Sequence, residues 1–184
     1  MMRISKLLCK SFALLSLLFI ACSNTDDIQQ KVTEIDASQL KVRDPFIFYD
    51  ADTDYYYLHV NGTLKVKSYK SKDLLTWQEN GYSFLPSAGF WGKEDFWAPD
   101  FYKYEDKYYL FITLSAPGVK RGTSVLVSDR VTGTFQPLVN NAVTPQEWTC
   151  LDGSLYVDSE GTPWIFYCRE WVEVGDGEIY IQQL

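Results

Sequence analysis

The sequence is poor in the residues that most nucleophilic and metal-dependent enzymes use. It has one histidine, His59, within a strand-like apolar run, and four cysteines. A single histidine removes most Ser-His and Cys-His mechanisms, and we expect a core or surface role for it. No cluster of Cys and His has the spacing of a zinc site. The net charge of −7, without a basic stripe, excludes nucleic acid as a partner.

Two cysteines, Cys150 and Cys168, lie in the folded part of the chain. The turn at residues 158–161 predicts a hairpin that brings them close together. In an oxidising compartment they could form a disulfide. Two free buried thiols are the alternative, and the sequence leaves both open.

The amino-terminal residues have the pattern of an export signal. A basic start precedes an apolar run at residues 11–21, which is too short for a stable membrane span. The run ends in Phe19-Ile20-Ala21-Cys22-Ser23, which resembles a bacterial lipoprotein lipobox. The resemblance implies cleavage before Cys22 and lipidation of its thiol; an ordinary secretory signal is the alternative.

From this we predict three segments: a signal peptide at residues 1–22, a polar tether at 23–38 and a folded domain at 39–184. The predicted location is the bacterial periplasm or cell surface, as an outer-membrane lipoprotein. An unlipidated chain would be secreted. Membrane contact is expected through the lipid alone.

The domain lacks a long helical period and consists of short or alternating apolar runs. One pattern occurs three times, beginning at Asp44, Asp100 and Asp152. The copies start roughly fifty residues apart, and this period predicts a β-propeller with one blade in each copy. The third copy contains three strand-like runs up to residue 184. Three blades cannot close a ring, so we expect a fragment of a longer protein.

The first strand of each propeller blade lines the central axis, so the three leading aspartates should surround one pocket. Converging carboxylates raise one another's pKa and can cleave glycosidic bonds. Alternatively, these side chains cap strand ends or bond to backbone amides. We favour that alternative for Asp100, because Trp97-Ala98-Pro99 looks like the more direct wall of the pocket.

Several other polar and aromatic residues are expected to be structural. The acidic turn at residues 50–54 is interpreted as a self-bonded turn, with a calcium loop as the alternative. Trp77 and Phe135 occupy matching places in the first two copies, and we expect both to pack between outer strands. An acidic domain with abundant Tyr and Trp suits neutral glycans, whose ring faces stack on aromatic side chains.

The three copies resemble the successive blade motifs of glycoside hydrolase family 43. The motifs are Arg43-Asp44-Pro45, Phe96-Trp97-Ala98-Pro99-Asp100 and Leu151-Asp152-Gly153-Ser154-Leu155-Tyr156. The resemblance covers nearly all of residues 40–184. It implies an all-β, five-bladed propeller of which this chain supplies about the first three blades. It also implies hydrolysis of arabinose- or xylose-containing plant polysaccharide, such as arabinan or arabinoxylan, with inversion at the anomeric carbon.

The same resemblance implies roles for individual residues. Asp44 would be the general base that activates water, and Asp152 would tune the pKa of the general acid and orient it. Trp97 would form part of the sugar-binding wall. No cofactor is required, no metal ligand is assigned, and an axial calcium ion is left open.

The family's general acid is a Glu in a Glu-Gly-Pro-like motif, which this sequence does not contain. Glu170 and Glu178 are the nearest candidates; Glu170 could contact sugar from the pocket rim, and Glu178 is interpreted as solvated. We therefore expect that the acid lies beyond Leu184, and loss of leaving-group protonation typically costs ~10²–10⁴-fold in rate. The alternatives are a glycan-binding propeller without catalysis and an inactive gene fragment.

Overall fold

The computed structural model describes residues 33–184, which form three antiparallel sheets. The first sheet has the order β1-β5-β4-β3-β2 and contains β1 (Glu34–Asp36), β2 (Phe46–Asp50), β3 (Tyr55–Gly62), β4 (Lys65–Ser71) and β5 (Thr76–Phe84). The second runs in chain order and contains β6 (Glu94–Tyr104), β7 (Lys107–Ala116), β8 (Val119–Ser128) and β9 (Gln136–Pro137). The third also runs in chain order and contains β10 (Cys150–Val157), β11 (Pro163–Arg169) and β12 (Glu178–Gln183). The helical segments described are a 3-10 turn at Ala37–Gln39 and the short helix α1 at Trp171–Val174.

Each sheet corresponds to one copy of the sequence repeat. Within each copy, consecutive strands pair through short turns, because the apolar runs are separated by residues that favour turns. The predicted all-β fold with about three blades of an incomplete propeller is therefore confirmed.

The first sheet begins earlier than the sequence predicted. Strand β1 pairs with β5, with Glu34 opposite Gln78 and Ile35 opposite Trp77. Ile35 also packs on a buried apolar cluster of the first sheet. Residues 34–36, which the sequence analysis placed in the tether, thus belong to the folded sheet, and the 3-10 turn follows them. The predicted signal peptide and the start of the tether lie outside the described residues.

Aromatic side chains fill the space between the first and second sheets. Phe101 on β6 is fully buried. Its ring centroid lies 5.0 Å from that of Phe48 and 4.3 Å from that of His59, which stacks on it in parallel. The buried carboxylate of Asp50 in the first sheet accepts a hydrogen bond of 2.8 Å from the Tyr108 hydroxyl in the second. These aromatic contacts and the buried hydrogen bond together fix how the first sheet packs on the second.

His59 has the core role that was one of the two expectations. It shares a hydrogen bond of 2.7 Å with the Ser83 hydroxyl through Nδ1, while Nε2 has no partner. Burial disfavours the charged imidazolium and lowers the pKa of His59 to about 3. The ring is therefore neutral at physiological pH and serves as a flat packing surface for Phe101.

Trp77 and Phe135 are both buried, as predicted from their matching places. Trp77 belongs to β5. Phe135 directly precedes the short strand β9, and its backbone N–H donates to the Ser83 carbonyl of the first sheet over 2.9 Å. The ring of Phe135 thereby enters the core between the two sheets.

Both cysteines of the third sheet are free thiols. Cys150 lies opposite Arg169 in the strand pair, and Cys168 lies opposite Leu151. Side chains alternate between the two faces of a sheet, so neighbouring register positions point the two thiols to opposite faces. Burial raises the pKa of the Cys150 thiol to about 11. Of the two alternatives, the structure has the free thiols.

The acidic turn between β2 and β3 is bonded by the protein itself. Asp50 accepts hydrogen bonds from the backbone N–H and the hydroxyl of Thr53. Asp52 pairs with Lys103 of the second sheet at 2.5 Å. These contacts agree with a self-bonded turn. Across residues 33–184, no group of three or more His, Cys, Asp or Glu side chains could hold a metal ion.

The second and third sheets approach each other closely at Gly153. Its backbone N–H donates to the Thr123 hydroxyl over 3.2 Å. A β-carbon at Gly153 would lie 2.5 Å from Thr123 Oγ1 and 2.6 Å from Cγ2. Because a fixed backbone and a branched side chain meet here, the absence of a side chain at Gly153 allows the two sheets to pack.

We predict that Gly153→Ala destabilises the protein. Forcing a methyl group into a packed interface typically costs ~1–3 kcal/mol. Urea unfolding followed by tryptophan fluorescence measures this cost. Gly89→Ala is the matched control, because a β-carbon there meets no atom within 4 Å, and its stability should stay within ~1 kcal/mol of the parent or rise. Equal stability of the two variants would contradict the close approach.

Candidate functional site

The structure brings the three leading aspartates together at one end of the sheets. Asp100 on β6 accepts a hydrogen bond of 2.8 Å from the Ser154 hydroxyl on β10. The backbone N–H of Asp152 donates to the Thr113 hydroxyl of β7 over 2.9 Å. Asp44 precedes β2 and lies close enough to Asp152 to raise its pKa. The convergence expected from the repeat is thus present.

The backbone is bent at the positions that carry these motifs. Asp44 and Asp152 have φ values of 50° and 55°, in the left-handed region. Ala98, just before Asp100, has a φ of 42°. The strand register also shifts between Leu151 and Ser154. Such bulges commonly lie next to active sites, where they redirect a side chain, and each left-handed non-glycine residue costs of order 1 kcal/mol.

The surroundings of Asp152 disfavour its charged form. Burial is the main cause that raises the pKa of Asp152, followed by the negative charges of Asp44, Asp100 and Glu170. The guanidinium of Arg121 acts in the opposite direction. Burial and charged neighbours therefore set the pKa of Asp152 together. These neighbours come from the loop before β2, from the second sheet and from the loop after β11.

Asp100 is held by side chains of both sheets. Besides Ser154, the Tyr102 hydroxyl donates to it over 3.1 Å. Burial raises the pKa of Asp100, and the two hydrogen bonds oppose this effect. Burial and the nearby Asp100 raise the pKa of Tyr102 to about 12, so its hydroxyl remains a donor. These bonds agree with the structural role favoured for Asp100, although they come from side chains and not from backbone amides.

Trp97 lies on β6 and is partly buried. The guanidinium carbon of Arg121 lies 4.3 Å from the centre of its ring. Arg121 Nε donates to Asp95 over 2.9 Å, and Ser115 donates to the same Asp95 oxygen over 2.5 Å. The predicted wall residue is therefore packed against a cation that is itself held in place.

Glu170 follows β11, and its negative charge is one of those that raise the pKa of Asp152. Its side chain is buried and accepts a hydrogen bond from Arg121 Nη1. The carboxylate is therefore engaged by the protein. Glu178 is exposed, and Tyr180 donates to it over 2.5 Å, in agreement with a solvated position.

Sequence reasoning missed Arg121 and Asp95. Neither belongs to a repeated motif, and each lies in a stretch of mixed charged and small residues that gives no local signal. The predicted lipidation residue Cys22 lies outside the described residues. Within residues 33–184, no helix is long and apolar enough to cross a membrane.

Known proteins resemble this chain over most of its length. The sequence profile described as glycosyl hydrolases family 43 matches residues 37–184. The chain is 24% identical over 151 residues to the extracellular exo-α-(1→5)-L-arabinofuranosidase ArbA of Cellvibrio japonicus, a match of 73% of this chain and 42% of that protein.

Solved structures give the same result. An endo-arabinase from Bacteroides thetaiotaomicron is 61% identical, with a TM-score of 0.80, over 82% of this chain and 53% of that one. A thermostable family-43 glycoside hydrolase is 22% identical, with a TM-score of 0.67, over 77% of this chain and 47% of that one, and shows the shared fold. The chain thus spans about half the length of these relatives. With the profile matching most of its length, the chain belongs to glycosyl hydrolases family 43.

Proposed function

We propose that the protein is a glycoside hydrolase that acts on arabinan or another arabinose-containing plant polysaccharide. The observation that carries the proposal is the convergence of Asp44 and Asp152 at the end of the sheets where Trp97 lies. The substrate class is supported by the 61% identity to an endo-arabinase and by the match to an arabinofuranosidase.

In the proposed mechanism, the Asp44 carboxylate takes a proton from the attacking water. Asp44 is half-exposed, so a water molecule can reach it. Asp152, with its raised pKa, tunes and orients the general acid. The reaction inverts the anomeric carbon, for which base and acid stand ~6.5–9.5 Å apart. Trp97 supports the apolar face of a sugar ring, and Glu170 borders the same pocket.

We assign no proton donor among the described residues. The Glu170 side chain is buried and already accepts a hydrogen bond from Arg121, so the protein itself engages this carboxylate. A glycan-binding propeller without catalysis is the second candidate, favoured by the Trp97 ring that packs on Arg121, since stacking on this ring binds sugar whether or not a bond is cleaved.

We also propose that the protein is exported and anchored through a lipid on Cys22, in the periplasm or at the cell surface. The motif around Cys22 and the extracellular location in the name of the arabinofuranosidase relative support this. Mass spectrometry of the protein from its host should find Cys22 as the amino-terminal residue with a diacylglycerol on its sulfur. Cleavage elsewhere, or an unmodified thiol, would contradict the anchor.

The activity is tested with the protein expressed from its natural gene and incubated with linear α-(1→5)-arabinan, with xylan as the comparison polymer. Chromatography should detect arabinose or arabino-oligosaccharides, released faster than any product from xylan. Asp44→Asn should reduce the rate by ~10²-fold or more, because an amide cannot take the proton from water. Asp152→Asn should reduce it by ~10²-fold or more as well, because the carboxylate that tunes the general acid is lost. Circular dichroism checks that both variants are folded.

Other outcomes point elsewhere. Arabinan binding with no released sugar would support the binding propeller over the hydrolase. Asp44→Asn with the parent rate would show that Asp44 is not the base. Neither binding nor hydrolysis of either polymer would contradict the proposed substrate class.

A further inference from the structure

The function proposed above gives no role to Arg121 or Asp95, which form ion pairs in one cluster with Glu170. We propose that Arg121 is a positioning residue that fixes the Trp97 ring and supplies the positive charge on the carboxylate side of the pocket. This inference deepens the proposed function and rests on it for the identity of the ligand.

The contacts of Arg121 join three parts of the chain. It lies near the start of β8, its Nε donates to Asp95 on β6 over 2.9 Å, and its Nη1 donates to Glu170 after β11. The side chains of Arg121, Asp95 and Glu170 are 22%, 16% and 6% exposed. Ion pairs shielded in this way are weakly screened by salt, and their geometry is fixed by hydrogen bonds at both ends.

The chemistry of the guanidinium explains why arginine is needed here. Its planar fork donates to two carboxylates, while its guanidinium carbon lies over the Trp97 ring, 4.3 Å from the ring centre. A lysine ammonium carries the same charge but has no flat face and no fixed fork. Arg121 therefore determines where the Trp97 ring stands, and sugar stacking depends on the position of that ring.

The charge of Arg121 also matters for Asp152. Gly153, next to Asp152, donates its backbone N–H to Thr123, two residues from Arg121 on β8, so the two strands meet at this point. The charged groups that act on Asp152 are Asp44 from the loop before β2, Asp100 from β6, Glu170 from the loop after β11 and Arg121 from β8. Three of these are carboxylates that favour the protonated form, and Arg121 is the cation that favours the ionised form. Removal of the cation should therefore shift the titration of Asp152 to higher pH.

The titration of the Asp152 carboxyl, followed by carbon-13 NMR in the protein, tests this without a substrate. We expect Arg121→Met to raise the pKa of Asp152, because an attractive charge is lost. Arg121→Lys should leave the pKa near that of the parent, because the charge stays. The double variant Arg121→Met with Glu170→Gln removes one charge of each sign, so the pKa of Asp152 should lie near the parent value. This variant gives a result even if Arg121→Met alone fails to fold.

A second readout separates position from charge. Calorimetry with arabinotriose, in the Asp44→Asn protein so that the ligand stays intact, should give about tenfold weaker binding when Arg121→Lys is added, the loss expected for one charge-assisted contact. An unchanged pKa of Asp152 in Arg121→Met, or parental affinity in Arg121→Lys, would overturn the corresponding part of the proposal. If the parent does not bind arabinotriose, the proposed substrate fails, whereas the titration still decides the electrostatic role of Arg121.

Discussion

The packing of the first sheet on the second through Phe101 is the contact on which the rest of the described structure depends. Phe101 is fully buried between Phe48 and His59 of the first sheet, and removal of such a ring typically costs ~3–5 kcal/mol. Asp100 is its neighbour on β6, and side chains alternate along a strand. The residue that fixes the sheets therefore also directs Asp100 towards Ser154 of the third sheet.

The strands position the carboxylates, and local bends aim them. The register shift after Leu151 and the left-handed φ of Asp152 depart from the regular alternation of a strand. In this conformation Asp152 lies close enough to Asp44 for their charges to interact. The resulting cluster of negative charge is unfavourable by itself. Arg121 offsets part of it, and the hydrogen bond that the Asp152 backbone N–H donates to the Thr113 hydroxyl helps to hold the backbone in place.

The sequence predicted much of this because a repeat determines spacing. The period placed Asp44 and Asp152 in one pocket, and the alternation of apolar residues predicted the strands. Contacts between distant residues had no such signal: the pairing of β1 with β5 depends on tertiary packing, and the thiol of Cys150 faces away from Cys168 because of a one-position register difference. Arg121 was missed for the same reason, since its partners come from separate strands and loops.

Asp44, Asp152 and Trp97 are proposed to form a single sugar-binding pocket. The most direct measurement is a crystal structure of the Asp44→Asn protein with bound arabinotriose. We expect one sugar ring to stack on Trp97, with the glycosidic bond within reach of residues 44 and 152. Arabinotriose bound elsewhere on the protein, with this end of the sheets empty, would contradict the claim.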